Sequence, residues 1–363
     1  MNPILDEILS ASIPSELLDG HHPDPAVHSV VRTGQRIQQL HAKLLEKTLA
    51  QSDTHVAARI ALLSFYSQRQ WRNSKWTDRY ASHCEWLIVH HPRGFLSFIH
   101  TYHLNDDNFK HLRTCWLRQV QKHPRDVFVL DNAAHFCYLN DPNTSERLWI
   151  RASDEDVSAY WSYNLARLYL SKLSHDVSRK NKKLLLKALT FCSAMVVRFS
   201  AHPDVGLVNA RSIQELLSEY AELALNYSRH DEAMKCAEQI MDLKEFYCDE
   251  VIYCEPISIF GRVSLLEGRV EQARRAMQQL IDEKELNLAL CYGPVAKLAN
   301  ALLNAAQFDA VIRFVKSYVH DSDVTLRHKS ITLQNPAILK KRKRQLEIWL
   351  KRSEKGKFSE LAI

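Results

Sequence analysis

Apolar residues recur along most of this chain at intervals of three and four, the period of an amphipathic helix. "RIQQLHAKLLEKTLA" sets Ile37, Leu40, Leu44, Leu45 and Leu49 on one predicted stripe. Three such pulses follow one another between Lys122 and Leu173. "VFVLDNAAHFCYL" predicts a helix with Ala133 and Ala134 at its middle. "NTSERLWIRA" predicts a second, which the short "NDP" turn sends back antiparallel. "VSAYWSYNLARLYLSKL" predicts a third, with Ala166 where Ala133 stood, 33 residues on. Small residues at those points let helices approach closely, and Leu130, Phe136, Leu165 and Tyr169 fill the seams. No stretch of comparable length alternates with period two, so the expected fold class is all-α. Residues 1–30 read as an extension made of a short amphipathic piece and a loop.

The breaks are periodic as well. "HHPRG" (Pro92), "KHPRD" (Pro124) and "AHPDV" (Pro203) each follow a helical run. A proline cannot continue a helix, and it pushes the preceding residue out of the α region. The first two prolines stand 32 residues apart, and periods of roughly 20 to 50 residues mark solenoids.

The later half carries a motif. "IFGRVSLLEGRVEQARRAMQQLID" has a glycine in its first helix (Gly261), a turn glycine (Gly268), an alanine opening the second helix (Ala273) and seam residues Met277 and Leu280. "YAELALNYSRHDEAMKCAEQIM" keeps that register with Ala221, Ser228, Ala233, Ala237 and Ile240. "KLANALLNAAQFDAVIRFVKSYV" keeps it with Ala299, Ala306, Val311 and Val315. The turn residues Ser228, Gly268 and Ala306 are spaced by 40 and 38. The pattern resembles the tetratricopeptide repeat, a helix pair recurring about every 34 residues, here in a degenerate form over roughly residues 54 to 320. The layout is similar to bacterial repeat proteins that begin with a degenerate helical half and end in a basic capping helix.

The resemblance implies a right-handed α-solenoid of about seven antiparallel pairs. Degenerate repeats would span 31–125, the better repeats 126–320, and a loop with a basic capping helix 321–363. It also implies a groove that holds a peptide or protein segment, the role of a scaffold or adaptor. By register with the repeat, the groove would be lined by Tyr138, Tyr163, Arg167, Glu222, Asn226, Arg262, Asn300 and Asn304, a mixture suited to an extended peptide.

Composition agrees with a helical protein: only 8 glycines in 363 residues leave few of the tight turns that sheets need. The net charge of +6 is unevenly placed. Residues 340 to 357 hold nine Lys or Arg against two Glu, a net of +7, which leaves −1 for the rest. A nucleic-acid footprint spread over the whole chain is therefore not expected. Five cations, Lys340, Lys341, Arg342, Lys343 and Arg344, could bind nucleic acid or an acidic partner, the alternative being a nucleic-acid-binding or regulatory protein that acts through this helix. Beside them, Asn335–Pro336 is a helix start, and Leu339, Leu346, Trp349 and Leu350 form a stripe, as a cap for the array requires. The cap is expected as the main role, with nucleic-acid binding weak. No secretory signal is expected at the start of the sequence, and no apolar run is expected to approach the roughly 18 residues of a membrane span. Together with the eight scattered cysteines, these features point to a cytoplasmic protein with reduced, buried thiols.

Candidate chemistry is sparse. "HCEWLIVHH" gathers His83, Cys84, Glu85, His90 and His91, but His83 and His90 lie two helical turns apart, too far for one ion. His100 and His103 offer two ligands without a third. Cys248 and Cys254 lack the spacing of a redox pair and have acidic flanks. No phosphate loop, nucleophile elbow or dinucleotide fingerprint occurs. No metal, cofactor or enzymatic activity is expected.

Overall fold

The computed structural model describes residues 3–11, 13, 25–69, 74–94, 104–175, 182–203, 208–243, 254–282, 292–327, 336–359 and 361. Seventeen helices and no strand occur among them, so the chain is all-α. Helices hold 83% of the described residues. Turns and caps take the balance. The chain forms two compact units, Met1–Leu168 and Tyr169–Ile363.

The first unit holds α1 (Pro3–Ser10), α2 (Pro25–Arg36), α3 (Gln39–Gln51), α4 (Val56–Ser67), α5 (Ser74–His90), α6 (Asp106–Lys122), α7 (Val127–Cys137), α8 (Pro142–Glu155) and most of α9 (Ala159–His175). α4 is buried continuously from Ala57 to Tyr66, and α1, α2, α3 and α5 pack around it. A helix that is apolar all round must be enclosed in this way. α2 comes closest to it: a Cβ on Gly34 would stand 2.5 Å from the Ala61 carbonyl oxygen and 2.7 Å from its Cα. Beyond α4 the helices pack in chain order, α5 on α6, α6 on α7 and α7 on α8. Three of them start at side-chain caps, Asn105, Asp126 and Asp141, each satisfying main-chain N–H groups of the first turn.

The expected stripe of the third helix needs correction. Ile37, Leu45 and Leu49 are buried, but Leu40 is 65% and Leu44 43% exposed. The chain breaks between α2 and α3, where the Gln38 N–H donates to His41 Nδ1 at 3.2 Å. α3 therefore runs in its own phase and buries His41, Ala42, Leu45 and Leu49. Helix α2 also begins at Pro25, ahead of the expected start at Val30. His100, His103 and Cys248 lie outside the described residues, as do residues 14–24 of the N-terminal extension.

The second unit holds the end of α9, then α10 (Lys182–Ala201), α11 (Ala210–Asn226), α12 (His230–Asp242), α13 (Cys254–Leu266), α14 (Val270–Asp282), α15 (Tyr292–Asn304), α16 (Phe308–Arg327) and α17 (Pro336–Ser353). From α10 to α17 each helix packs on the next. In addition α11 meets α13, α13 meets α15, and α14 meets α16. The turns inside α11–α12, α13–α14 and α15–α16 are built alike. Ser228, Gly268 and Ala306 hold φ of 55°, 77° and 57°. After each, a main-chain N–H reaches back five residues, Arg229 to Ala224, Arg269 to Ser264 and Gln307 to Leu302, at 2.7–2.8 Å. This is the left-handed helix ending that satisfies the last carbonyls.

Lys183–Ala201 within α10 is long and apolar enough by length and composition to cross a bilayer. The sequence reading missed it because Lys183, Lys187 and Arg198 interrupt the run. Its stripe of Leu185, Ala188, Cys192, Met195 and Phe199 is buried, while Leu186 and Val197 on other faces are exposed.

Candidate functional site

The residues singled out by repeat register fall into both units. In the first, Tyr138 ends α7 and its ring lies 5.8 Å from that of Trp149 on α8. Tyr163 is half-buried and Arg167 exposed, one turn apart on α9, with the guanidinium over the ring at 5.6 Å. Close by, the buried Asp131 carboxylate accepts from Trp149 Nε1 (2.8 Å) and the Tyr160 hydroxyl (3.2 Å) and pairs with His135 Nδ1 (3.0 Å). Burial works against a charged His135, yet Asp131 overrides it and raises the imidazole above its ordinary value. This knot joins α7, α8 and α9 and is filled by its own members.

In the second unit, Glu222, Arg262 and Asn300 each follow the small residue of the motif, Ala221, Gly261 and Ala299. α13 lies against both α11 and α15, which brings Glu222 and Arg262 together. Arg262 donates to Glu222 through two nitrogens at 2.5 and 3.0 Å, and Lys297 donates to the same carboxylate at 3.1 Å. Burial opposes ionisation of Glu222, but the two cations outweigh it and hold the carboxyl below its ordinary value. Glu255 is half-buried in the same field without such a hydrogen bond, and burial pushes it up. Glu222 and Arg262 thus face one another. Asn226 and Asn304, at the ends of α11 and α15, are exposed.

Asn300 engages a segment that register alone does not place. Its Oδ1 accepts from the Leu361 N–H at 2.7 Å and its Nδ2 donates to the Leu361 carbonyl at 3.0 Å. Leu361 is buried, and the Phe358 ring stacks on Phe308 at 4.0 Å. Trp349 Nε1 donates to the Ser359 carbonyl at 2.7 Å. Residues after α17 therefore lie along the last helix pair with main-chain groups held by side chains. Lys297 was visible in the sequence one turn before Asn300 on the same face. The docking of Phe358 and Leu361 has no local signal, since it depends on α17 returning the chain to α15.

On α17, Leu346 and Trp349 are buried and Leu350 partly so, against a core that includes Val311, Phe314 and Tyr318. The side chain of Leu339 lies outside those described. Lys340, Lys341 and Arg344 are exposed, whereas Arg342 and Lys343 are half-buried. Arg342 reaches the Tyr318 hydroxyl, and Lys343 pairs with Glu347 at 3.4 Å.

The cluster around His83 disperses in space. His83 stacks on Tyr66 and sits 3.3 Å from Glu46 and 3.4 Å from Arg59. Cys84 is fully buried, and that burial pushes its thiol far up. His90 stacks on Trp86, and Glu85 turns to His111 on α6 at 2.9 Å. Cys254 is buried.

No protein-family model matches the chain, and no curated protein matches it.

Proposed function

We propose that α11 to α16 are three degenerate tetratricopeptide-like repeats, antiparallel pairs stacked in a right-handed sense. In this reading the protein is a scaffold or adaptor whose first helices hold an extended segment of a partner protein. The observation that carries it is the pairing of Asn300 with Leu361. One side chain at a repeat position holds the N–H and carbonyl of one residue, as a neighbouring strand would, so recognition falls on the peptide backbone. Asn226 and Asn304 extend the same amide chemistry along the helix ends. Glu222, Arg262 and Lys297 set a rigid charged floor between them. Selection of short peptides from a random displayed library on a chain shortened to end at Lys355, which leaves Asn300 uncovered, tests the reading. Enrichment of peptides that an Asn300→Ala chain no longer retains supports it. Retention unchanged in that variant would refute the groove as the site.

The basic run supports a second, lesser reading, in which α17 contacts nucleic acid or an acidic partner. Lys340, Lys341 and Arg344 carry it because they stand exposed opposite the buried Leu346 and Trp349. Three open cations give a small, salt-sensitive footprint with no base readout.

A further inference from the structure

We propose that Glu85, His111 and Cys115 form a site for one divalent transition-metal ion, zinc before others, which clamps α5 to α6. His111 and Cys115 stand at i and i+4 on α6 and so share a face. Glu85 comes from the facing side of α5. His111 Nε2 lies 2.9 Å from Glu85 Oε2. Cys115 Sγ lies 3.8 Å from Glu85 Oε1 and 3.9 Å from His111 Nε2. All three donor atoms fall within 4.8 Å of one another. A tetrahedral zinc ion with bonds of about 2.0–2.3 Å holds its ligand atoms about 3.3–3.6 Å apart. With one carboxylate oxygen as ligand, the widest donor separation, at most 4.8 Å, needs to close by about an ångström, and the His–Glu pair to open by about half an ångström.

The donor set chooses the ion. A thiolate with an imidazole suits zinc or cobalt, while calcium and magnesium prefer oxygen alone. On binding, the Cys115 thiol proton leaves to solvent, and thiolate and carboxylate balance the two positive charges. Access is built in: Cys115 is buried at the floor, whereas the His111 and Glu85 side chains are 52% and 43% exposed above it. The fourth position faces water. The exposed Arg118 acts electrostatically on the sulfur, and its repulsion of a bound cation is screened by solvent. Neighbouring groups are committed elsewhere, His83 to Glu46 and His90 to Trp86. The sequence hid the site because its ligands come from two helices.

The test is titration of the metal-free full chain with zinc by calorimetry, and with cobalt by absorption spectroscopy. We expect one ion per chain, a thiolate-to-cobalt charge-transfer band, and a melting temperature that rises with free zinc, since binding to the folded state stabilises it. Cys115→Ser should abolish the band. His111→Ala, at an exposed position that keeps the fold, should weaken zinc binding by about a hundredfold or more, the upper end of what loss of an outer-shell partner costs. His90→Ala should change neither. Absence of saturable binding, binding without the thiolate band, or affinity unchanged in the Cys115→Ser and His111→Ala chains would overturn the proposal.

Discussion

Ser228 and Ala306 share one left-handed backbone conformation, φ 55° and 57°, at the same point of two helix pairs. The pair between them has Gly268 there, at φ 77°. A side chain in this region costs roughly 1–2 kcal/mol that glycine avoids. Ser228→Gly and Ala306→Gly should therefore each stabilise the chain by about 1 kcal/mol, and Gly268→Ala should destabilise it by a similar amount. Urea midpoints followed by far-ultraviolet circular dichroism measure this. A loss of stability in both glycine variants would mean the turns are not built alike.

Two buried glycines should respond unequally. A methyl on Gly34 would meet the main chain of Ala61, which cannot move without shifting α4. A methyl on Gly261 would meet the ends of the Leu298 side chain at 2.7 and 2.9 Å and Ala276 Cβ at 3.2 Å. The close approach at Gly261 is thus to α15 as much as to its pair partner α14, and leucine rotamers can yield. Gly34→Ala should cost about 1–3 kcal/mol or more, and Gly261→Ala less. Gly261→Leu, too large for any rotamer change to absorb, should cost about 1–3 kcal/mol. Equal unfolding midpoints for the two alanine variants would contradict the contrast.

The two carboxylate-centred clusters should tie stability to pH with opposite signs. Glu222 is held below its ordinary value of 4.5. Its contribution is present above that value and fades as pH falls through the lower folded value. His135 is raised above 6.5 by Asp131. Its contribution is complete below that value and fades as pH rises through the higher folded one. The deficit of Glu222→Gln relative to wild type should shrink on acidification. That of His135→Gln should shrink as pH rises above about 6.5 toward the alkaline side. Unfolding curves at several pH values would show parallel profiles if these pairs were unimportant.

Much of this fold could be read from local pattern. Pro92, Pro124 and Pro203 all follow helix ends. Ala133, Ala134 and Ala166 are fully buried, as close helix contacts require. The turn residues Ser228, Gly268 and Ala306 coincide with the left-handed positions, because register alone aligns them. What failed depended on phase or on return of the chain. Leu40 and Leu44 went to solvent when a break at Gln38 reset the helix. The Glu222–Arg262–Lys297 contacts follow from helix stacking, which no single motif shows. Leu361 meets Asn300 across 61 residues, a distance at which sequence pattern is silent.

For α17 the burial of Leu346 and Trp349 should matter more than its charge. Replacing Lys340, Lys341, Arg342, Lys343 and Arg344 by Gln keeps helix propensity and removes the Arg342–Tyr318 and Lys343–Glu347 contacts but no apolar core side chain, so the chain should stay folded and soluble. Leu346→Ser with Trp349→Ser removes two core side chains, a loss of several kcal/mol at roughly 2–5 each, and should bring aggregation. Any nucleic-acid binding by wild type should fall steeply with salt. Tight binding at physiological salt that the Gln variant lacks would put nucleic acid first.

The most direct measurement of the central claim uses the chain's own segment as ligand. A chain shortened to end at Lys355 leaves Asn300 uncovered, and a labelled peptide spanning residues 356–363 can then be added in trans and followed by fluorescence anisotropy. The groove account predicts saturable binding to the shortened chain, little binding to the full chain, and loss of binding when the shortened chain carries Asn300→Ala. Equal signals from all three chains, or no saturable signal with a shortened chain that keeps its helical spectrum, would contradict it.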